Sequence, residues 1–273
     1  MNALGKIKNA RLYVGENDIE MDGYEISMGK IAVAVAACFD KPGAGEDAAA
    51  IIPLNENRIA LAIADGVGGS PSARKASATA VECLRNSLNQ INKHNERPRT
   101  AILDGMEAAN DELCHMGTGS ATTLVVADIQ ENKVRTFHVG DSAAWLIGQR
   151  GVIKFQTIPH SPVGFGVEAG LIDVDEALKH DELHIINNVI GSNEMTIEMS
   201  TPTIISKRDT LLLASDGLFD NLLQDEIINI VRKGPIEKAM GNLLELANQR
   251  MQGMGKEGPS KPDDFSAILF RLH

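Results

Sequence analysis

Residues 58–69 read RIALAIADGVGG. In this stretch an apolar run is followed directly by an acidic residue, and the repetition of this pattern along the chain indicates the fold. The run has the length of a strand and stops at Asp65. Glycines follow at positions 66, 68 and 69, and glycine permits the backbone conformations of a tight turn. A short apolar run bounded by Asp and Gly is typical of a β-strand. We therefore predict a strand over Arg58–Ala64 that delivers Asp65 to its end.

The same combination of strand and acid recurs along the chain. Four further acidic sites stand at the ends of predicted strands: Glu46-Asp47, Asp141, Asp216 and Asp263-Asp264. In an antiparallel sheet the start of one strand lies beside the end of its neighbour. We therefore expect all five acidic sites to gather at one edge of the sheets.

Carboxylates that gather in this way repel one another, so the group requires protons or cations at neutral pH. Hard divalent cations bind through oxygen, and the pattern therefore predicts Mg²⁺ or Mn²⁺. Ordinary turn chemistry, in which Asp-Gly is common, explains any single site better. Only the recurrence of the pattern favours a metal centre.

The remaining sequence predicts an α+β fold. Strand-length apolar runs are grouped along the chain, and amphipathic helical patterns occur in two pairs. The helices are predicted at Ser72–Lys93, Thr100–Met116, Gln224–Lys233 and Pro235–Gln252. This grouping favours a four-layer αββα sandwich, with two packed antiparallel sheets flanked by helix pairs, over a regular βαβ alternation. We expect a single domain over residues 1–273.

Three local predictions complete this organisation. Val134–Val139 and Ala143–Ile147 are joined by a short turn at Gly140 and are predicted to form a hairpin. Residues 151–199 lack a sustained periodicity and are predicted to be loop-like. Residues 1–30 are expected to contribute an edge strand.

The composition excludes several classes of protein. The 273 residues include 26 Lys and Arg against 37 Asp and Glu, a net charge of −11, so nucleic acid and anionic membranes are poor partners. Cys38, Cys83 and Cys114 form neither a disulfide framework nor a zinc knuckle. The early apolar run Ile31–Cys38 is far shorter than the ~20 residues of a membrane span, and no secretory signal is recognisable. We expect a cytoplasmic protein without membrane association.

The acidic sites lie within motifs that resemble those of the protein phosphatase 2C family, the metal-dependent serine/threonine phosphatases. The first acidic motif of the family, then DGxGG, GSTA, GDS, the stretch before the flap, SDGL and the closing Asp-Asn pair all have counterparts in order. These are Gly45–Ala48, Asp65–Gly69, Gly119–Thr123, Gly140–Ser142, Pro159–Ser161 with Glu168–Gly170, Ser215–Leu218 and Asp263-Asp264. The resemblance extends from Gly45 to the end of the chain and implies the αββα sandwich, with a flap-like insertion at about residues 151–199.

The resemblance also implies the ligands of two metal ions. Asp65 would bridge both ions, and the carbonyl of Gly66 would ligate one of them. Glu46 would ligate the second ion, whereas Asp216 and Asp263 would ligate the first.

A third, weaker ion would be held by Asp141 together with Asp216, and Asp47 would orient metal-bound water. Asp47, Asp65 and Asp216 are therefore the predicted catalytic residues. Two Mn²⁺ or Mg²⁺ ions would lower the pKa of a bridging water, and the resulting hydroxide would attack phosphorus in line. The implied activity is hydrolysis of phosphoserine and phosphothreonine on protein substrates by a monomeric enzyme that reverses a cognate Ser/Thr kinase.

The chain departs from the family pattern where phosphate would bind. Pro42 stands where many relatives have an Arg that grips phosphate. Lys41, Arg74 and His160 are the candidates for phosphate or substrate contact, and His160 has the alternative role of a structural hydrogen-bonding residue. The closing Asn is replaced by Asp264. None of these departures removes an expected metal ligand.

Two other motifs carry less weight. Pro71 stands where a dinucleotide-binding GxGxxG loop starting at Gly66 requires glycine. His180 and His184 have the spacing of a zinc-binding helix but lack the Glu of HExxH. The alternative function is a partner-gated or catalytically weak phosphatase fold that serves in signalling or binding.

Overall fold

The computed structural model describes residues 5–15, 18–40, 45–68, 72–94, 97–254 and 258–273. The strands are β1 (Gly5–Lys6), β2 (Arg11–Tyr13), β3 (Ile19–Ile26), β4 (Gly29–Ala36), β5 (Asp47–Asn55), β6 (Arg58–Asp65), β7 (Leu124–Gln130), β8 (Lys133–Val139), β9 (Ala143–Ile147), β10 (Ile153–Gln156), β11 (Glu198–Met199), β12 (Thr203–Ile204), β13 (Thr210–Ala214) and β14 (Phe265–Leu272). The helices are α1 (Ala73–His94), α2 (Pro98–Met116), α3 (Pro162–Glu168), α4 (Val174–Ala177), α5 (Asp216–Phe219), α6 (Gln224–Val231) and α7 (Ile236–Met251).

The strands form two sheets with helices on their outer faces. The first sheet has the order β1-β3-β4-β14-β13-β9-β10, and the second has the order β11-β8-β7-β6-β5-β2, with β12 also paired to β8. Strand pairs in both sheets are antiparallel apart from β1 with β3. Helices α1 and α2 pack on the second sheet, and α6 and α7 pack on the first. The predicted α+β sandwich is therefore confirmed.

The central strands, such as β4, β6 and β13, are largely apolar because both of their faces are buried. In β6 the larger side chains fill the core between the sheets, whereas the intervening alanines face α1 and α2. The larger residues are Ile59, Leu61 and Ile63, and the alanines are Ala60, Ala62 and Ala64. Strand β4 repeats this alternation on the first sheet. Small residues on the outer face let the helices lie close to the sheet at native packing density.

The predicted hairpin between β8 and β9 is wrong. Strand β8 lies in the second sheet and β9 in the first, so the chain crosses between the packed sheets at residues 140–142. Gly140 permits this crossing because its φ is +99° and because a Cβ there would lie 2.6 Å from the Thr123 side chain. A short glycine-containing connection suits a sheet-to-sheet crossing as well as a hairpin, and local sequence does not distinguish them.

The other local predictions can be compared with the structure directly. The four predicted helices are present, with ends that differ by at most two residues. Strands β1 and β3 extend one edge of the first sheet and β2 one edge of the second, as expected for residues 1–30. The flap segment, residues 151–199, has more regular structure than predicted, because it contains β10, α3, α4 and β11. No helix in the described ranges is long and apolar enough to cross a membrane.

Candidate metal centre

Acidic residues from both sheets meet at one edge of the sandwich. On the second sheet, Asp47 begins β5 directly opposite Asp65 at the end of β6. On the first sheet, Ala214 at the end of β13 lies opposite Ala267 of β14 and Ala143 of β9. The acids just beyond these strand ends are Asp141, Asp216 and Asp263. Ser215, which precedes Asp216 on the first sheet, donates to Asp47 on the second, so the two sheets contribute to one group, and the carboxylates of Asp141, Asp216 and Asp263 all raise the pKa of Asp65.

We call Asp47, Asp65, Asp141, Asp216, Asp220 and Asp263 the acidic cluster. Burial raises the pKa of Asp65 well above its usual range, and the carboxylates of Asp47 and Asp216 raise it further. Burial is also the main reason that the pKa of Asp141 is raised to about 8. The pKa of Asp47 is raised by burial and then by the carboxylate of Asp264. Carboxyl groups in this state need protons or cations at neutral pH.

Asp264, the second residue of the closing acidic pair, fixes the backbone on one side of the acidic cluster. Its carboxylate is buried and accepts hydrogen bonds from the backbone N–H of Cys38 at 2.6 Å and of Glu46 at 2.5 Å. The residue therefore ties the end of β4 to the start of β5. Glu46 is held further because its carbonyl accepts from Ser77 Oγ at 2.5 Å and from the Gly66 N–H at 3.2 Å.

Two threonines of the GSATT segment fix the backbone of Asp65. Thr122 Oγ1 donates to the Asp65 carbonyl at 2.7 Å, and the Thr123 N–H donates to the same oxygen at 2.8 Å. The Asp65 N–H in turn donates to Thr123 Oγ1 at 3.1 Å. Thr123 Oγ1 also lies 2.6 Å from Ser142 Oγ, next to Asp141. This segment therefore positions both Asp65 and the crossing that carries Asp141.

Asp47 is the most deeply buried member of the acidic cluster, with 1% of its surface exposed. Ser215 Oγ donates to Asp47 Oδ2 at 2.8 Å, and the Ser266 N–H donates to Ser215 Oγ at 3.2 Å. These contacts connect Asp47, on the second sheet, with β13 and β14 on the first. The role of Asp47 behind the metal ligands remains a prediction.

Two glycines beside the acidic cluster have no room for a side chain. A Cβ at Gly66 would lie 2.4 Å from the carbonyl oxygen of Ala73 and 2.9 Å from that of Glu46. A Cβ at Gly217 would lie 1.7 Å from the carbonyl oxygen of Asp264. In both cases glycine allows two segments bearing predicted ligands to approach each other closely.

A lysine lies within the acidic cluster, and sequence analysis missed it. Lys261 Nζ is 2.5 Å from Asp216 Oδ2, 2.8 Å from Asp220 Oδ2 and 3.5 Å from Asp263 Oδ2. Asp220 was missed as well, although it follows Asp216 by one helical turn. Burial is the main cause that raises the pKa of Asp220 to about 7, and the carboxylate of Asp216 is the second.

The donor set of the acidic cluster fits divalent cations. Its side-chain donors are all carboxylate oxygens, which Mg²⁺ and Mn²⁺ prefer. Among the residues that the structure describes, Oδ1 of Asp141 is buried and has no hydrogen-bond partner, which is unusual for a polar atom removed from water. A cation would supply the missing partner. The roles of the predicted ligands, including the Gly66 carbonyl, remain predictions.

The structure says less about the predicted phosphate-binding residues than about the predicted metal ligands. Lys41 and Pro42 lie outside the described residues. Arg74 is at the start of α1, where its Nε donates to the carbonyl of Val14 at 3.1 Å. His180 and His184 lie in exposed turns rather than on the helix that a zinc motif requires. A role for Lys41 or Arg74 in phosphate binding therefore remains a prediction.

One group in the described part of the chain has three side-chain ligand atoms within 4.8 Å of one another: His138, His160 and Glu198. Nδ1 of His160 accepts from the Gly140 N–H at 3.2 Å, so the ring proton is on Nε2, 3.3 Å from Glu198. Nε2 of His138 faces the Ile158 carbonyl at 2.9 Å and therefore donates. Hydrogen bonding thus accounts for this group without a metal, and it favours the structural alternative for His160.

A cavity of about 160 Å³ lies between the flap segment and α5, beside the acidic cluster. Asp141 and Asp216 form part of its wall. The remaining lining is largely apolar and includes Trp145, Val163, Val167, Leu178 and Phe219. The flap segment therefore forms one wall of a depression next to the predicted metal ligands.

Comparisons with known proteins agree with the fold of this chain. A family model described as protein phosphatase 2C matches residues 43–251. Protein phosphatase PhpP of Streptococcus pneumoniae is 32% identical over 200 residues, which cover 70% of this chain and 80% of PhpP. The S. agalactiae serine/threonine phosphatase has a similar structure, with a TM-score of 0.74 and 22% identity over 89% of this chain and 99% of that one. The catalytic domain of the phosphatase PstP, solved with two manganese ions, has a TM-score of 0.67 and 22% identity, and covers 89% of this chain and 97% of its own.

Proposed function

The chain belongs to the protein phosphatase 2C family, and from this we propose that it hydrolyses phosphoserine and phosphothreonine on proteins. The observation that carries the proposal is the convergence of carboxylates from both sheets at one edge of the sandwich, with pKa values raised by burial and mutual repulsion. Such a group needs cations, and a phosphoryl group needs cations to neutralise its charge during transfer.

We assign the residues of this chain as follows. Asp65, the Gly66 carbonyl, Glu46, Asp216 and Asp263 hold two divalent ions. Bound ions of this kind activate water and neutralise charge on the phosphoryl and leaving oxygens. The PstP structure with two manganese ions supports Mn²⁺, and the oxygen donors also suit Mg²⁺.

Asp47 orients the attacking water from behind the ligands. Its carboxylate is buried and fixed by Ser215, so it has one defined direction. The apolar cavity beside Asp141 offers the substrate chain a surface next to the reacting phosphate. We further propose that residues 1–273 act as one monomeric catalytic domain and that a Ser/Thr kinase supplies the phosphorylated substrate.

The test is hydrolysis of matched phosphoserine, phosphothreonine and phosphotyrosine peptides by protein stripped of metal with a chelator. We expect release of phosphate from the first two peptides only after Mn²⁺ or Mg²⁺ is added back, and its loss in Asp65→Asn. Asp104→Asn, which changes an exposed acid on α2, is the matched control and should retain activity.

Two results would contradict the proposal. One is release of phosphate that does not depend on added metal. The other is equal hydrolysis by the wild type and Asp65→Asn. A folded protein that binds Mn²⁺ without turnover on any peptide would instead favour the partner-gated alternative.

A further inference from the structure

Lys261 occupies an unusual position for a lysine near a predicted metal centre. Its ammonium group makes hydrogen bonds to Asp216 at 2.5 Å and to Asp220 at 2.8 Å, and an ion pair with Asp263 at 3.5 Å. An ammonium group has three N–H donors and no acceptor. Three carboxylates therefore surround a single fixed positive charge.

The backbone of Lys261 is clamped in place. Its N–H donates to Asn221 Oδ1 at 2.8 Å, and Asn221 Nδ2 donates back to its carbonyl at 2.8 Å. Asn221 is fully buried, and its Nδ2 also donates to the carbonyl of Gly217 at 3.0 Å. This amide joins the lysine to the segment that carries Asp216, so the contact is built into the fold.

Asp141 and Asp216 form the predicted site of the third, weaker ion, and Asp220 lines the same cavity as both of them. The electrostatic neighbours of Asp141 include Asp216, Asp220 and Lys261. The ammonium group of Lys261 bonds two of these three carboxylates directly, Asp216 and Asp220. A divalent ion at this position would lie within a few ångströms of the ammonium group, and like charges at that range repel strongly.

We propose that Lys261 is a built-in cation of the metal centre, whose ammonium group takes the place of the third divalent ion among Asp141, Asp216 and Asp220. This inference rests on the proposed function, because it assigns these carboxylates to metal binding. The chain then holds two exchangeable ions, and its third positive charge is covalently attached.

The test counts bound Mn²⁺ by equilibrium dialysis and by the EPR signal of the free ion. We expect the wild type to bind two ions and Lys261→Met to bind three, with the third binding at least about tenfold more tightly than any third ion in the wild type. Lys261→Arg keeps the positive charge and should bind two. Lys154→Met removes a lysine that pairs with Asp209 at 2.7 Å outside the acidic cluster, and it should also bind two.

Circular dichroism of each variant with Mn²⁺ verifies folding. The number of Mn²⁺ ions bound by the wild type tests the proposal even if Lys261→Met does not fold. A wild type that binds three ions overturns it, and so does a folded Lys261→Met that binds two. If the wild type hydrolyses phosphopeptides and binds two ions while Lys261→Met also binds two, only the role of Lys261 fails. A wild type that binds no Mn²⁺ overturns both the inference and the proposed function.

Discussion

Gly217→Ala perturbs the acidic cluster without changing any of its carboxylates. The added Cβ would lie 1.7 Å from the carbonyl oxygen of Asp264 and 2.9 Å from the carbonyl carbon. Both atoms belong to the main chain, so neither can rotate away. Carbon and oxygen normally approach to about 3.3 Å, and the two segments must therefore separate by about 1.6 Å.

This separation acts on predicted ligands from both sides. Asp216 precedes Gly217 on α5, and Asp263 precedes Asp264 before β14. A displacement of about 1 Å costs roughly 100-fold in rate when it misplaces reacting groups. Overpacking of this kind also costs about 1–3 kcal/mol in the free energy of unfolding, which lowers Tm by roughly 2–12 °C for a chain of this size.

The assay combines metal-dependent phosphopeptide hydrolysis with thermal unfolding. Gly241→Ala is the matched control, because it lies in α7 and a Cβ there would have no heavy atom of the other described segments within 4 Å. It should retain activity and gain up to about 1 kcal/mol from the higher helix propensity of alanine. Wild-type turnover and an unchanged Tm in Gly217→Ala would refute the argument.

The raised pKa values of the acidic cluster predict how stability depends on pH, and two hydrogen-bonding side chains, Ser215 and Asn110, provide further tests. Without metal, the free energy of unfolding should fall as the pH rises from about 4 to about 8. The carboxyl groups of Asp141 and Asp220 have folded-state pKa values of about 8 and about 7, above the ordinary value of 3.8. In that interval the folded state therefore binds more protons than the unfolded state, and each group contributes a slope of up to about 1.4 kcal/mol per pH unit until the pH passes its folded pKa. Urea titrations check this, and a metal-free stability that is flat or rises over the interval would count against the raised pKa values. Ser215→Ala removes the 2.8 Å donor to the buried Asp47 carboxylate and should lower the free energy of unfolding by about 1–3 kcal/mol, measured by urea denaturation; an unchanged midpoint would show that Asp47 does not need this donor. Asn110→Ala removes the side-chain oxygen that accepts from the N–H groups of Gly191 at 2.7 Å and Ser192 at 3.1 Å, so limited proteolysis should cut the flap segment faster while the Mn²⁺ count stays the same; cleavage at the wild-type rate would be evidence against this anchor.

The positions of the predicted ligands were accessible from sequence because the signals are local. An apolar run that stops at Asp65 and continues into glycines places that residue at a strand end. Antiparallel pairing then brings strand ends together without any knowledge of side-chain contacts. The alternation of Ile or Leu with Ala in β6 contains further information, because it distinguishes the inter-sheet face from the helix-covered face.

The errors and omissions concern contacts between distant parts of the chain. Which sheet a strand joins is set by packing, and this is why β8 and β9 were wrongly paired. Lys261 donates a hydrogen bond to Asp216, which is 45 positions away in the sequence, and no short motif links the two residues. Asp264 likewise fixes Cys38, 226 positions away, through a hydrogen bond that no periodicity indicates.

Metal-dependent hydrolysis of p-nitrophenyl phosphate tests the central claim most directly. The protein is stripped with a chelator, Mn²⁺ or Mg²⁺ is added back, and the wild type is compared with Asp216→Asn. We predict turnover that appears only with added metal and is lost in Asp216→Asn, because that residue is a proposed ligand of the first ion. Turnover that persists without metal, or at wild-type level in Asp216→Asn, would contradict the proposed metal centre.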